Sequence, residues 1–178
     1  MAELMPRERL QPSLLDRLTD NEPEKKKESR QQRVLSVGKL RQAVLRDLGW
    51  LLNSDNLGDE QLDDYPLVAH SVLNYGMPDL AGHTASSADV NALERMLREV
   101  ILAFEPRILR NTLKVRAVLD KEQMSHNALA FEIEGELWAR PLPERMYLRT
   151  QVDFEDGAVS IVENSRVASH AGSGQGSG

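Results

Sequence analysis

The chain has 178 residues, a length that suits one modest domain with tails. Its residues are 40% hydrophobic and 28% charged, and its mean hydropathy of −0.45 together with the lack of a long apolar run indicates a soluble protein without a membrane-inserted helix. A net charge of −6 argues against a nucleic-acid partner, which would select a basic face. The absence of cysteine excludes disulfides and thiolate ligands and fits a cytoplasmic protein.

A short apolar motif lies within residues 1–20, and a charged linker at residues 21–33 separates it from the rest. In a short helix its three leucines, Leu14, Leu15 and Leu18, would share one face. Such a helix is marginal alone in water. Two interpretations stay open: the motif folds back on its own domain, or it is a docking segment that becomes ordered on a partner.

Residues 34–52 have the apolar spacing of a long helix. Ser36 is the expected N-cap, and Trp50 is expected to anchor the end of the helix against the core. Residues 53–86 then form a long loop with repeated Gly and Pro, a length that suggests a functional surface. Within it, residues 65–68 and 71–76 are expected to be packed as extended or single-turn segments.

The stretch 89–119 organises the domain. Apolar residues recur at helical spacing up to Phe104, and Ser86 or Ser87 is the expected N-cap. Pro106 lacks an N–H and disfavours helical dihedrals at the residue before it, so the helix is predicted to end there.

From residue 111 the hydrophobic period changes from helical to two, and four alternating segments follow. Asp156–Gly157 predicts a hairpin turn between the last two. The predicted inward side chains are Leu113, Val115, Ala117, Leu119, Leu129, Phe131, Ile133, Met146, Leu148, Thr150, Val152, Phe154, Val159 and Ile161. The sequence therefore predicts an α+β two-layer domain at residues 34–163, with two main helices on a small antiparallel β-meander, and a flexible Gly/Ser tail at residues 164–178.

Evidence for catalysis or metal binding is weak. The histidines, His70, His83, His126 and His170, are scattered. Without thiols or helical His pairs, neither a metal site nor a cofactor is expected. Glu132 and Glu134 are paired carboxylates on one face of a strand, but they are predicted to face water rather than a substrate cleft. We therefore expect no enzymatic activity.

The charged corner Glu105–Pro106–Arg107 lies between the predicted helix and the sheet. One interpretation is a local surface ion pair, worth only ~0–1 kcal/mol. The other is that Arg107 offers a rigid donor fork to the carboxylates or carbonyls of a partner. The sequence favours neither.

Three segments resemble the TssE family of type VI secretion baseplate subunits, which is grouped with the wedge subunits of contractile-tailed phages and was historically labelled lysozyme-like. They are residues 12–18, 73–80 and 104–107. The resemblance extends over about residues 10–163. It implies a structural protein that contacts the larger wedge components TssF and TssG, in a cytoplasmic baseplate associated with the inner membrane.

The resemblance also implies that the protein templates the contractile sheath, since an exposed sheet edge can accept a strand from a sheath subunit. The partner-binding residues that it suggests are Glu105, Pro106, Arg107, Leu14, Leu15 and Leu18. The lysozyme-like label leaves an alternative, a peptidoglycan-cleaving enzyme, for which no catalytic pair can be matched. A third possibility is an adaptor without a role in polymerisation, which a sheet closed at both edges would favour.

Overall fold

The computed structural model describes residues 13–19, 36–58, 64–69, 71–81, 89–118, 128–139 and 142–163, together with residues 24 and 62. The helices are α1 (Leu14–Leu18), α2 (Val37–Leu52), α3 (Pro66–Ala69) and α4 (Val90–Phe104), and Val72–Asn74 forms a 3₁₀ turn. The strands are β1 (Lys114–Val118), β2 (Ala128–Leu137), β3 (Glu144–Asp153) and β4 (Val159–Glu163). The predicted Gly/Ser tail, the four histidines and most of the predicted linker lie outside the described residues.

The four strands pair antiparallel in the order β1-β2-β3-β4, and α2 and α4 pack on one face of this sheet. Leu48 of α2 and Ile101 of α4 are fully buried, and they belong to one core cluster with the inward side chains of the strands, among them Phe131 and Met146. Burial alternates along β2 and β3 as the period of two predicts. The prediction of an α+β domain with two helices on a β-meander is confirmed.

The two long helices begin at capping side chains. The Ser36 hydroxyl accepts a hydrogen bond from the Lys39 N–H at 3.2 Å, which confirms the predicted cap of α2. The prediction for α4 was wrong, because its N-cap is Asp89, whose carboxylate accepts from the N–H groups of Asn91 and Ala92 at 3.0 and 3.2 Å. A carboxylate immediately before the helix is also favoured by the positive end of the helix dipole.

Trp50 does not anchor α2 against the core, contrary to the prediction. Its side chain is 51% exposed, whereas Leu51 and Leu52 are each 2% exposed and occupy the core. At about 100° per residue, Trp50 shares the outward side of the helix with Arg46, one turn earlier. The Arg46 guanidinium lies 5.0 Å from the centre of the Trp50 ring, so the indole makes a cation–π contact at the surface instead.

The loop after α2 is held by polar contacts as well as by the burial of Met77 and Leu80 in the core. The expected single turns are present at Pro66–Ala69 and Val72–Asn74. Four apolar side chains of this loop, Tyr65, Leu67, Val72 and Leu73, are more than 60% exposed, so packing of these turns was predicted wrongly for those side chains, whereas Tyr75 does pack against the core.

Buried Asn74 fixes the loop from within. Its Oδ1 accepts from the Leu57 N–H at 3.0 Å and its Nδ2 donates to the Ala69 carbonyl at 3.1 Å. The Met77 N–H then donates to the Ser54 carbonyl at 2.7 Å, which ties the loop to the residues that follow α2. Asn74 and Met77 both belong to residues 73–80, so this segment, one of the three that resemble the TssE family, fixes the loop in place.

A charged corner as the candidate partner-binding site

Helix α4 ends at the predicted corner. The Glu105 N–H makes the last helical bond, to the Ile101 carbonyl at 2.8 Å. Glu105 is only 3% exposed, and its carboxylate accepts from the Arg107 Nε at 2.7 Å, from the Arg107 backbone N–H at 3.1 Å, and from Arg107 Nη2. Pro106, between them, is exposed. The ion pair thus forms within the chain, and the proposal that it is a weak surface pair is wrong because its carboxylate is buried.

A second carboxylate from α2 completes the pairing of Arg107. Arg107 Nη2 lies 2.6 Å from Asp47 Oδ2. Burial by itself would lower the pKa of Arg107, but the hydrogen bonds and charges of Glu105, followed by those of Asp47, outweigh it and raise the pKa above its ordinary value. The guanidinium therefore stays charged and joins the end of α4 to the C-terminal half of α2.

Tyr75 packs over this pairing from the loop. Its ring meets the Phe104 ring edge to face at 5.3 Å between centroids, and its hydroxyl donates to the Asp47 carbonyl at 3.4 Å. Burial raises the pKa of Tyr75, and the negative charges of Asp47 and Glu105 raise it further. The corner is thus enclosed by α2, α4 and the loop, and its geometry is fixed by the domain core.

The pairing continues from the corner to the N-terminal motif. Asp47 Oδ1 lies 2.7 Å from Arg46 Nη2, and Arg46 Nη1 lies 2.7 Å from Asp16 Oδ1 on α1. We call this series, Glu105–Arg107–Asp47–Arg46–Asp16, the ion-pair chain. It connects the two segments that the sequence predicted to bind partners, although they are about ninety positions apart.

Helix α1 is attached to α2 through the ion pair of Asp16 with Arg46, and its leucines stay exposed to solvent. Leu14, Leu15 and Leu18 are 69%, 44% and 75% exposed, and no residue of α1 is buried. The Ser13 hydroxyl caps the helix and donates to Asp16 Oδ2 at 2.6 Å. The motif therefore does fold back on its own domain, yet its apolar side chains remain available to a partner, so the two interpretations are compatible.

We expect Asp16→Asn to release α1 while leaving the rest of the domain unchanged. A five-residue helix has little stability of its own, and a partly exposed ion pair contributes only ~0–1 kcal/mol, so a modest loss suffices. Hydrogen exchange of residues 15–19 should become faster in this variant, and the thermal unfolding midpoint should stay unchanged. Arg17→Gln, at an exposed neighbouring position of the same helix, is the matched control.

The same release should occur in acid. Burial raises the pKa of Asp16, but hydrogen bonds from Ser13 and Arg46 and the charge of Arg46 outweigh it, and the net effect is a lowered pKa. Attachment is therefore fully present above the ordinary value of 3.8 and is lost as the pH falls through the lowered pKa. Exchange at residues 15–19 that is equally slow in wild type and Asp16→Asn would show that this pair does not hold α1.

Glu132 and Glu134 lie on the face of the sheet opposite the helices. In the strand register, Glu132 is opposite Arg116 on β1, and Glu134 is opposite Lys114, whose Nζ lies 4.0 Å from a Glu134 oxygen. A groove of about 200 Å³ on this face is lined by residues of β1, β2 and β3, among them Glu132, Glu134 and Tyr147. Basic side chains of β1 thus lie opposite acidic side chains of β2, an arrangement that favours pairing across the strands.

Within the described part of the chain, no group of three or more carboxylates or other ligand side chains could hold a metal ion. None of the helices in these ranges is long and apolar enough to span a membrane.

The family of baseplate wedge protein gp25 matches residues 38–142, which is more than half of the chain, and the chain belongs to this family. The match includes α2, α4, the corner, β1 and β2. This membership supports a structural role in the baseplate of a contractile system, and it confirms the family resemblance. Neither the comparison with curated proteins nor the comparison with solved structures found a significant match.

Sequence reasoning identified Glu105 and Arg107 and the leucines of α1, but it missed Asp16, Arg46 and Asp47, which connect them. Arg46 and Asp47 appear in the sequence as two adjacent charges on the polar side of a helix, a common surface pattern. Asp47 lies 60 positions before Arg107, so no local spacing relates them. The one available signal was Glu105 itself, since an acidic residue directly after an apolar helix face requires a cation if the helix end is buried.

Proposed function

We propose that this protein is a structural subunit of a type VI secretion baseplate, without enzymatic activity, which binds the wedge components TssF and TssG and templates the contractile sheath by strand addition. It would act in the cytoplasm, in a baseplate associated with the inner membrane. Membership of the gp25 family supports the baseplate role, and the three segments that resemble TssE support the assignment to type VI secretion.

The observation that carries the binding part of this proposal is the exposed apolar face of α1. Three leucines in a five-residue helix stay in solvent while Asp16 holds the helix on Arg46. Burying such side chains on a partner gains about 1.5–3 kcal/mol for each one that becomes fully buried. Because α1 is already attached, less ordering entropy opposes binding than for a free peptide. The ion-pair chain would then fix the orientation of α1 relative to the corner.

The test is binding of the purified full chain to a TssF–TssG complex. Replacing Leu14, Leu15 and Leu18 together by serine should weaken binding by about a hundredfold, which corresponds to roughly 3 kcal/mol of lost apolar contact. Since all three side chains are largely exposed in the free protein, the unfolding midpoint should not change.

The matched control replaces two equally exposed apolar residues of the loop, Leu67 and Leu73, by serine. This variant should bind as wild type does. If the Leu67/Leu73 variant lost binding and the Leu14/Leu15/Leu18 variant did not, the proposal would be contradicted and the docking surface would lie on the loop. Pro106→Ser, which leaves both members of the Glu105–Arg107 pair in place, tests whether the exposed tip of the corner adds a contact.

A further inference from the structure

The sheet has two edge strands, β1 and β4, and strand addition requires one of them to be open. Alternate residues of an edge strand direct their N–H and C=O groups away from the sheet, where another strand could pair with them. On β1 these include Ala117, whose N–H bonds to α4. On β4 they include Val159, whose N–H and C=O bond to α2. Because Ile161 and Glu163 lie two and four residues after Val159 in the same strand, their N–H and C=O groups also point away from the sheet.

The β1 edge is covered by two side chains of α4. Glu94 Oε1 accepts from the Ala117 N–H at 2.7 Å, and Arg98 Nε donates to the Leu113 carbonyl at 3.4 Å, just before the strand. Glu94 and Arg98 are one helical turn apart. Glu94 accepts at one end of the edge and Arg98 donates at the other. A strand arriving at β1 would have to displace both, so this edge is blunted by side chains.

Among the described residues, side-chain bonds to the outward backbone of β4 lie at one end only. Asn53, the residue that ends α2, uses its Oδ1 and Nδ2 to bond both the N–H and the C=O of Val159 at 2.9 Å, as a neighbouring strand would. Further along, no described side chain bonds the outward backbone of Ile161 or Glu163. Arg41 holds the Glu163 carboxylate at 2.5 Å and so ties the end of β4 to α2.

We propose that β4 is the acceptor edge, that Asn53 is a register stop on it, and that the occupant is an extended segment of a sheath subunit. This inference rests on the proposed function above. The incoming strand would pair with the backbone of Ile161 and Glu163 and would end before Val159, where the amide of Asn53 already occupies the outward groups. Because Ile161 is half-buried beside the core, an apolar residue next to it would extend the core.

The face of β4 away from the helices carries the uncharged residues Ser160 and Val162, and the charge of Glu163 is paired with Arg41. Val162 faces away from the helices and is 64% exposed, whereas the corresponding side of β1 carries the exposed charges Lys114 and Arg116. Charges of this kind on an edge discourage pairing, and an exposed apolar edge residue favours it. The two edges therefore differ in where their outward groups are bonded, at both ends of the β1 edge but at one end of the β4 edge, and in side-chain chemistry.

The first experiment uses Ile161→Pro, which removes one outward N–H without removing a bond of the inner ladder. The matched variant is Ala117→Pro, also half-buried and also with an outward N–H. With purified TssF, TssG and sheath subunits, Ile161→Pro should nucleate about tenfold fewer sheaths than wild type, and Ala117→Pro should nucleate as many. Both should still bind TssF–TssG, which separates this inference from the proposed function.

The second experiment keeps the test valid if a proline variant fails to fold. The chain has no cysteine, so single Val162→Cys and Arg116→Cys variants can each carry a photo-crosslinking maleimide. Crosslinking to the sheath subunit from position 162 and not from 116 supports the inference. Crosslinking from 116 alone, crosslinking from 162 to a second copy of this chain, or unaltered sheath assembly by a folded Ile161→Pro would each overturn it.

Discussion

Replacement of Arg107 by alanine is expected to lower the free energy of unfolding by about 3–5 kcal/mol, the range for breaking a buried ion pair on one side. Glu105 is 3% exposed and takes three hydrogen bonds from Arg107, two from the guanidinium and one from the backbone. Without the guanidinium, the carboxylate would be a buried charge without its partner, and Asp47 would lose one of its two described arginine partners. Since domains of this size are stable by about 5–15 kcal/mol, urea unfolding should show a much lower midpoint.

Two further variants separate the causes of this loss. Adding Glu105→Gln to Arg107→Ala replaces the buried charge with a neutral amide and should restore part of the stability, because an unpaired charge costs more than an absent pair. Arg110→Ala, at an exposed arginine that donates to the Leu102 carbonyl at 3.3 Å, should leave the midpoint nearly unchanged. An Arg107→Ala protein that unfolds at the wild-type urea concentration would contradict this role; if it also failed to bind TssF–TssG, Arg107 would belong to the interface.

Much of the fold follows from hydrophobic period alone. Leu97 and Ile101 recur at helical spacing and are buried in α4, whereas Phe131 and Ile133 alternate and are buried in β2. Pro106 marks the end of α4 because its ring and missing N–H act within one residue of it. These features could be predicted because each depends on neighbours within about seven positions.

The features that could not be predicted depend on groups distant in sequence. Asp47 was not predicted to meet Arg107, because their separation is set by how α2 and α4 pack. Asn53 and Val159 are 106 positions apart, so the closure of one end of β4 is equally invisible to local patterns. The position of Trp50, by contrast, follows from the helical phase of Leu48 and Leu51, which places residue 50 on the outer side of α2.

Replacement of Gly76 by alanine is expected to destabilise the domain by about 3 kcal/mol or more. Gly76 has φ of +123°, a conformation that side chains disfavour, and a Cβ built there would lie 2.1 Å from the Ser54 carbonyl oxygen. That oxygen accepts the 2.7 Å bond from the Met77 N–H. The clash is with backbone, so no rotamer change can relieve it, and the loop would have to leave the end of α2.

Detachment at Gly76 would spread to the corner, because the preceding residue, Tyr75, packs on Phe104 and bonds to the Asp47 carbonyl. Thermal unfolding of Gly76→Ala should therefore begin at lower temperature than in wild type, and binding to TssF–TssG should weaken with it. Gly49→Ala is the matched control: nothing lies within 4 Å of its added Cβ, and alanine within α2 should stabilise by up to about 1 kcal/mol. Equal midpoints for the two alanine variants would mean that the loop tolerates displacement and that the corner is held without it.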